Sequence, residues 1–195
     1  MLRAWAHWSV AKVRVPSLTE VKIVLGAAHE HNPGWILTWA STLDVTQAAH
    51  FERLLAGRSA DAFLAEHVWE HLDAHATQQA NALCFRYLRS GGHLRLAVPD
   101  GLHPDPDYIA QVRPGGTGIG AEDHRVLYDH RMLCASLQRA GFETRLLEYW
   151  DEHGQFHHRD WDSRDGHVVR SRRYDARNRN DALRYTSLIV DALKP

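Results

Sequence analysis

The sequence predicts an α/β fold built on a mostly parallel sheet, and three observations carry that expectation. Short β-branched runs alternate with segments of helical spacing through most of the chain. Two of those segments, residues 73–89 and 129–140, place apolar residues three and four apart and are followed by glycine. The last two strand-like runs, residues 142–150 and 184–193, have no strong helix between them, which predicts an antiparallel hairpin at the C-terminal edge. Helices are expected on both faces of the sheet.

Taken in order, residues 1–18 show no clean pattern and read as a tail or edge segment; a single domain is expected over residues 19–195. Arg3, Lys12 and Arg14 flank a stretch too polar for a secretory core. Val21–Leu25 is a β-branched run closed by Gly26, a strand and a tight turn. Asn32-Pro33-Gly34 is a turn signal, and residues 35–39 read as a second strand. Residues 46–55 form a short helix with Phe51, Leu54 and Leu55 on one face. Asp61–Ala65 is a third strand. The helix over residues 73–89 has Asp73 as its cap and Gly91-Gly92 after it. Leu94–Val98 is the next strand. Residues 100–124 form a long loop rich in Pro, Gly and Asp, the kind that carries function in a compact domain.

Composition narrows the classes. Apolar residues make up 44% of 195, enough for one core without staples. The net charge of −1 gives no footprint for nucleic acid or an anionic membrane. The two cysteines, Cys84 and Cys134, lie within helical patterns and read as reduced, which favours a cytoplasmic location. No apolar run reaches the length of a membrane span. Oligomeric state has no signature. Ligands of such sheets bind at the carboxyl ends of the strands, which points to Gly26 onward, Trp39 onward, Glu66-His67 and Asp100 onward.

Seven segments in fixed order carry a family likeness. They are Val21–Gly26, Asn32–Ile36, Ala65–Leu72 (AEHVWEHL), Leu88–Asp100 (LRSGGHLRLAVPD), Asp123–Tyr128 (DHRVLY), Ala140–Phe142 and Thr186–Pro195. Together they resemble the class I S-adenosylmethionine-dependent methyltransferases, in particular a group of predicted members with EHVxEHL and PGGxLRxAVPD-like segments. The resemblance spans nearly everything from Val21 to the C-terminus. It implies a Rossmann-like sheet, S-adenosylmethionine as cofactor, and methyl transfer to a small-molecule or other acceptor. It also implies cofactor contacts from Gly26, Ala28, Asp44, Glu66 and His67. Two departures stand out: the glycine loop reads Gly26-Ala27-Ala28-His29, and Trp39 stands where the family has an acid, so Asp44 is the expected substitute. A fold that has kept its shape but lost turnover, acting as a binding protein, is the alternative.

The remaining candidates are weighed on their residues. Asp123 and His124 fit a catalytic pair, with His124 as general base and Asp123 orienting it; a helix-start cluster fits equally well. His67, Glu70 and His71 match the HxxEH pattern of zinc hydrolases, set against a short turn whose apolar residues face the core. Gly116, Gly118 and Gly120 lack the strand–turn–helix context of a phosphate loop and read as a flexible lid. His103, Asp105 and Asp107 lie among prolines, and His153, His157 and His158 in a polar hairpin; both groups read as solvated rather than metal-binding. The Arg- and Asp-rich stretch 159–184 reads as salt-bridged surface.

Overall fold

The structure is a computed structural model that describes residues 15, 18–27, 32–178 and 182–195. Among the described residues seven strands form one sheet in the order β2-β1-β3-β4-β7-β5-β6. They are β1 Lys22–Leu25, β2 Ile36–Leu37, β3 Ala60–Glu66, β4 Leu88–Pro99, β5 Glu143–Trp150, β6 Phe156–His158 and β7 Ser187–Leu193. Strands β1 to β4 pair in parallel, β7 pairs antiparallel with both β4 and β5, and β6 antiparallel with β5. Five strands therefore run one way, and the expected mostly parallel sheet with an antiparallel edge is what forms. The edge hairpin is β5–β6, however. β7 returns to the interior and lies between β4 and β5.

The central strands are buried on both faces, and their alternation divides the core. Ile23, Leu25, Phe63, Leu94, Leu96, Leu188 and Val190 face one side. Val24, Ala62, Leu64, Ala97 and Ile189 face the other. On the first side lie helices α1 Ala48–Leu55, α2 Ala74–Tyr87 and α4 His130–Arg139, through Phe51, Leu54, Ala80, Cys84, Leu133 and Leu137. The predicted caps are in place: Asp73 accepts from the Ala76 amide and Asp129 from the Met132 amide.

The shared side has a topological cause. The connections β2→β3, β3→β4 and β4→β5 all step the same way along the sheet, and right-handed crossovers then place their helices on one face. Among the connections from β1 to β5, only β1→β2 steps the other way. It has residues 26–35 to do so, short of the dozen or so that a helical crossover takes. The second face is consequently covered, among the described residues, by irregular chain carrying Trp35, Trp39, Trp161 and Val168. Arg95 and Asp191 sit opposite each other on that face and close a buried ion pair at 2.7 Å.

The segment expected to be a long loop contains a helix, α3 Pro106–Val112, capped by Asp105 with proline at its first position. The glycine stretch after it is tied down rather than free. Thr117 and Gly118 donate their amides to the Ala110 and Gln111 carbonyls. A Cβ on Gly116 would come within 2.5 Å of the Gln111 carbonyl oxygen. No helix among the described residues is long and apolar enough to cross a membrane. Both cysteines are free, Cys84 buried and Cys134 half-buried.

Candidate functional site

The carboxyl ends of β3 and β4 open into a cavity of about 400 Å³. Its polar lining is His67, His124, Arg170, Arg177 and Tyr185, with α3 and the glycine stretch forming one wall. A larger groove of about 850 Å³ lies between α4 and the β5–β6 edge. The smaller cavity is the better candidate because basic and hydrogen-bonding groups converge on it from distant parts of the chain.

His67 follows β3 directly and has φ +54°, a left-handed conformation rare for a side chain of its size. That turn brings its ring between two partners. Nε2 lies 3.1 Å from the Ser187 hydroxyl at the start of β7, and Nδ1 lies 3.1 Å from Oε1 of Glu70. Glu70 is fully buried in a short 3-10 turn, Trp69–His71. Burial pushes its carboxyl up, but the neighbouring His67 and His71 and its own backbone outweigh that and hold it below the usual range.

His124 is buried at the end of a second 3-10 turn, Ala121–Asp123. Its Nδ1 is 2.7 Å from the Val112 carbonyl oxygen, an atom that only accepts, so Nδ1 carries the proton. Nε2 is left as the lone-pair nitrogen, 4.0 Å from Oε1 of Glu70. The Val112 carbonyl, not Asp123, orients the ring; Asp123 is exposed on the turn. The His71 ring stands edge-on to His124 with centroids 4.8 Å apart.

The cationic side of the cavity comes from the segment between β6 and β7. Arg177 lies over the Tyr185 ring at 3.5 Å and is braced by a two-point pair with Asp175. Asn178 clasps the segment: its side chain accepts from the Arg184 and Tyr185 amides and donates to the Tyr185 carbonyl. Burial lifts the Tyr185 phenol to about 12, so it stays protonated. Behind it, the Tyr108 hydroxyl accepts from the Asp100 amide and donates to the Thr186 carbonyl.

The residues expected to hold a cofactor are placed as follows. Gly26 has φ +69°, and a Cβ there would lie 2.6 Å from Cγ2 of Val68, so Val68 fills the space beside it. Ala28 lies outside the described residues. Asp44 turns onto its own loop, accepting from the amide and hydroxyl of Thr46. Both oxygens of Glu66 are taken by the amides of Val169 and Arg170, at 3.0 and 2.7 Å. Of the four described, only His67 lines the cavity.

The HxxEH pattern is not realised as a helix. His67 precedes and His71 ends a turn too short to put them on one face; the group that draws together is Glu70, His71 and His124. Asp105 caps α3, and His103 is buried in a stack on Tyr108. His157 pairs with Asp151 in the β5–β6 hairpin. Arg170, Arg177, Tyr185 and Ser187 join the site although no local pattern marks them. They follow His67 by a hundred residues or more, and only the return of β7 beside β4 brings them there.

The sequence matches no protein-family model and no curated protein. Solved structures do match. An O-methyltransferase family protein from Burkholderia thailandensis superposes with a TM-score of 0.52 at 12% identity, over 99% of this chain and 56% of that one. A SAM-dependent methyltransferase from Thermotoga maritima gives 0.50 at 11% identity, over 99% and 89%. A Haloferax volcanii chain, from a complex between the Trm112 methyltransferase activator and a methyltransferase, gives 0.50 at 13%, over 99% and 91%. The chain has a methyltransferase-type fold. At these identities the likeness is one of fold, and this chain spans little more than half the length of the Burkholderia protein. The cavity lies at the carboxyl end of β3, the end of the sheet at which open α/β sheets take ligands, displaced from the β1/β3 switch point.

Proposed function

We propose that this chain transfers a methyl group from S-adenosylmethionine to a small anionic acceptor seated in the cationic cavity. The observation that carries the reading is the cavity itself: two arginines, two histidines and a phenol at the carboxyl ends of β3 and β4. The family likeness of the sequence and the methyltransferase-type fold support the reaction class. The acceptor class comes from the guanidinium charge on the cavity wall: Arg177 offers the edge left by its pair with Asp175, and Arg170 lies 3.6 Å from Glu66.

Beside the glycine after β1, the usual seat of the donor, the described residues are packed against one another, and the donor reaches the Gly26 backbone only when Val68 turns aside. Val68 fills the space at Gly26, and Glu66 and Asp44 are engaged elsewhere. The chain's own residues supply positioning and a base. Arg170 and Arg177 anchor the acceptor. His124, with its proton fixed on Nδ1 by Val112, offers Nε2 to an acceptor hydroxyl or amine. The glycine stretch and α3 wall the cavity from water on one side. A donor that brings its own activated methyl asks the protein for alignment more than for a nucleophile.

Calorimetric titration with S-adenosylmethionine and with its demethylated product tests this. Binding of either at dissociation constants on the order of micromolar supports the reading. No binding to folded protein overturns it. That outcome leaves a second reading, an anion-binding protein of the same fold without turnover, which the packing of Val68 on Gly26 favours.

A further inference from the structure

Glu70 poses a problem that the proposed methyl transfer leaves unsolved. It is fully buried, and neither carboxylate oxygen has a hydrogen-bond partner. The Nδ1 of His67 approaches Oε1 at 3.1 Å without the alignment of a hydrogen bond. His67 compensates the charge from one side only, and a buried carboxylate with no aligned donor on either oxygen is costly. Two further donors aim at the same point. One atom each from Glu70, His71 and His124 lies within 4.8 Å of the others. The two histidines come from different elements, the Trp69–His71 turn and the end of the Ala121–Asp123 turn.

We infer that Glu70, His71 and His124 form a binding site for a divalent transition-metal ion of the zinc class. Two imidazoles and one carboxylate are a donor set that suits such an ion. Ligands at about 2.0–2.1 Å from a tetrahedral ion stand about 3.3 Å apart, so modest side-chain rotations close the group. His124 already has the supporting contact a metal-binding imidazole uses: Nδ1–H donates to the Val112 carbonyl, which fixes the tautomer and leaves Nε2 as the ligand atom. Three protein ligands leave a coordination position open, and of the three His124 lines the cavity. With the ion bound, His124 no longer serves as base. A hydroxyl coordinated to the metal instead loses its proton to solvent more readily. Metal uptake itself does not depend on methyl transfer and is read without turnover.

The test is a titration of untagged, folded full-length chain with cobalt(II) and zinc(II), beside the variants Glu70→Gln and His71→Ala. Glu70→Gln is nearly isosteric and His71 is only half-buried, and circular dichroism checks that both fold. The expected result is a single cobalt per chain with the strong visible absorption of a low-coordinate site. Both variants should lose that band, and zinc affinity should fall by roughly ten- to a hundredfold or more. Absence of a saturable cobalt band in the wild type overturns the site, as does uptake unchanged in both variants. Unchanged uptake would assign the ion to another of the fifteen histidines. A variant that fails to fold leaves the wild-type spectrum to decide.

Discussion

Val68 and Gly26 set the terms at the scale of single residues. With φ +69° the glycine suits a tight turn after β1, and its missing side chain is the space that a methyl of Val68 occupies. The residue that makes close backbone approach available is thus covered by the chain itself. Shortening the neighbour restores the approach. Val68→Ala should tighten S-adenosylmethionine binding by about tenfold while costing about 1 kcal/mol of stability for a half-buried side chain. Calorimetry and urea denaturation measure the two effects. Unchanged or weaker binding in the variant would show that Val68 does not guard the donor seat. Gly26→Ala makes the opposite change, adding strain at a positive φ and a clash with Val68, and should weaken both stability and binding.

At the scale of elements, what was legible is what is local. Asp73 and Asp129 announce α2 and α4 because a cap and the apolar spacing after it lie within a few residues of each other. The turn chemistry of Asp105-Pro106 announces α3 by the same logic, but it sits among other prolines and was masked by them. The strand ends at Glu66-His67 were readable from position. The partners of those residues were not, since the covering segment from Trp161 to Asn178 reads as solvated charge and is instead built onto the sheet. Arg95 shows how. Its guanidinium holds Asp191 by two hydrogen bonds and also donates to the carbonyls of Asp162 and Gly166, fastening the segment to β4. Arg95→Met leaves Asp191 without its counter-charge and should cost about 3–5 kcal/mol in urea denaturation. The Arg95→Met, Asp191→Leu double variant should recover part of that loss. A single-variant loss below about 1 kcal/mol would mean that the pair does not anchor the cover.

Across the whole molecule the helices on one face and irregular chain on the other bury several titratable groups near the carboxyl ends, and two of them, Asp100 and His103, depend on pH in opposite senses. Burial lifts Asp100 to about 6, against the amides of Trp150 and Leu102 that bond its carboxylate. Burial lowers His103 to about 4, stacked as it is on Tyr108. The contribution of Asp100 is fully present below pH about 4 and is lost as pH rises through about 6, because the folded state holds its proton more tightly than the unfolded chain. The contribution of His103 is present above the ordinary imidazole range and is lost as pH falls through it toward about 4. Between pH 7 and 4.5 each group changes stability by about 2 kcal/mol, and the two changes offset. Asp100→Asn should uncover the histidine, so that this variant loses stability on acidification relative to the wild type. His103→Gln should uncover the carboxylate and gain stability over the same interval. Urea denaturation of the three proteins at pH 7, 5.5 and 4.5 gives the comparison. Opposite deviations from the wild-type slope follow if both groups are buried as described, and three parallel slopes would show that neither titrates against the fold.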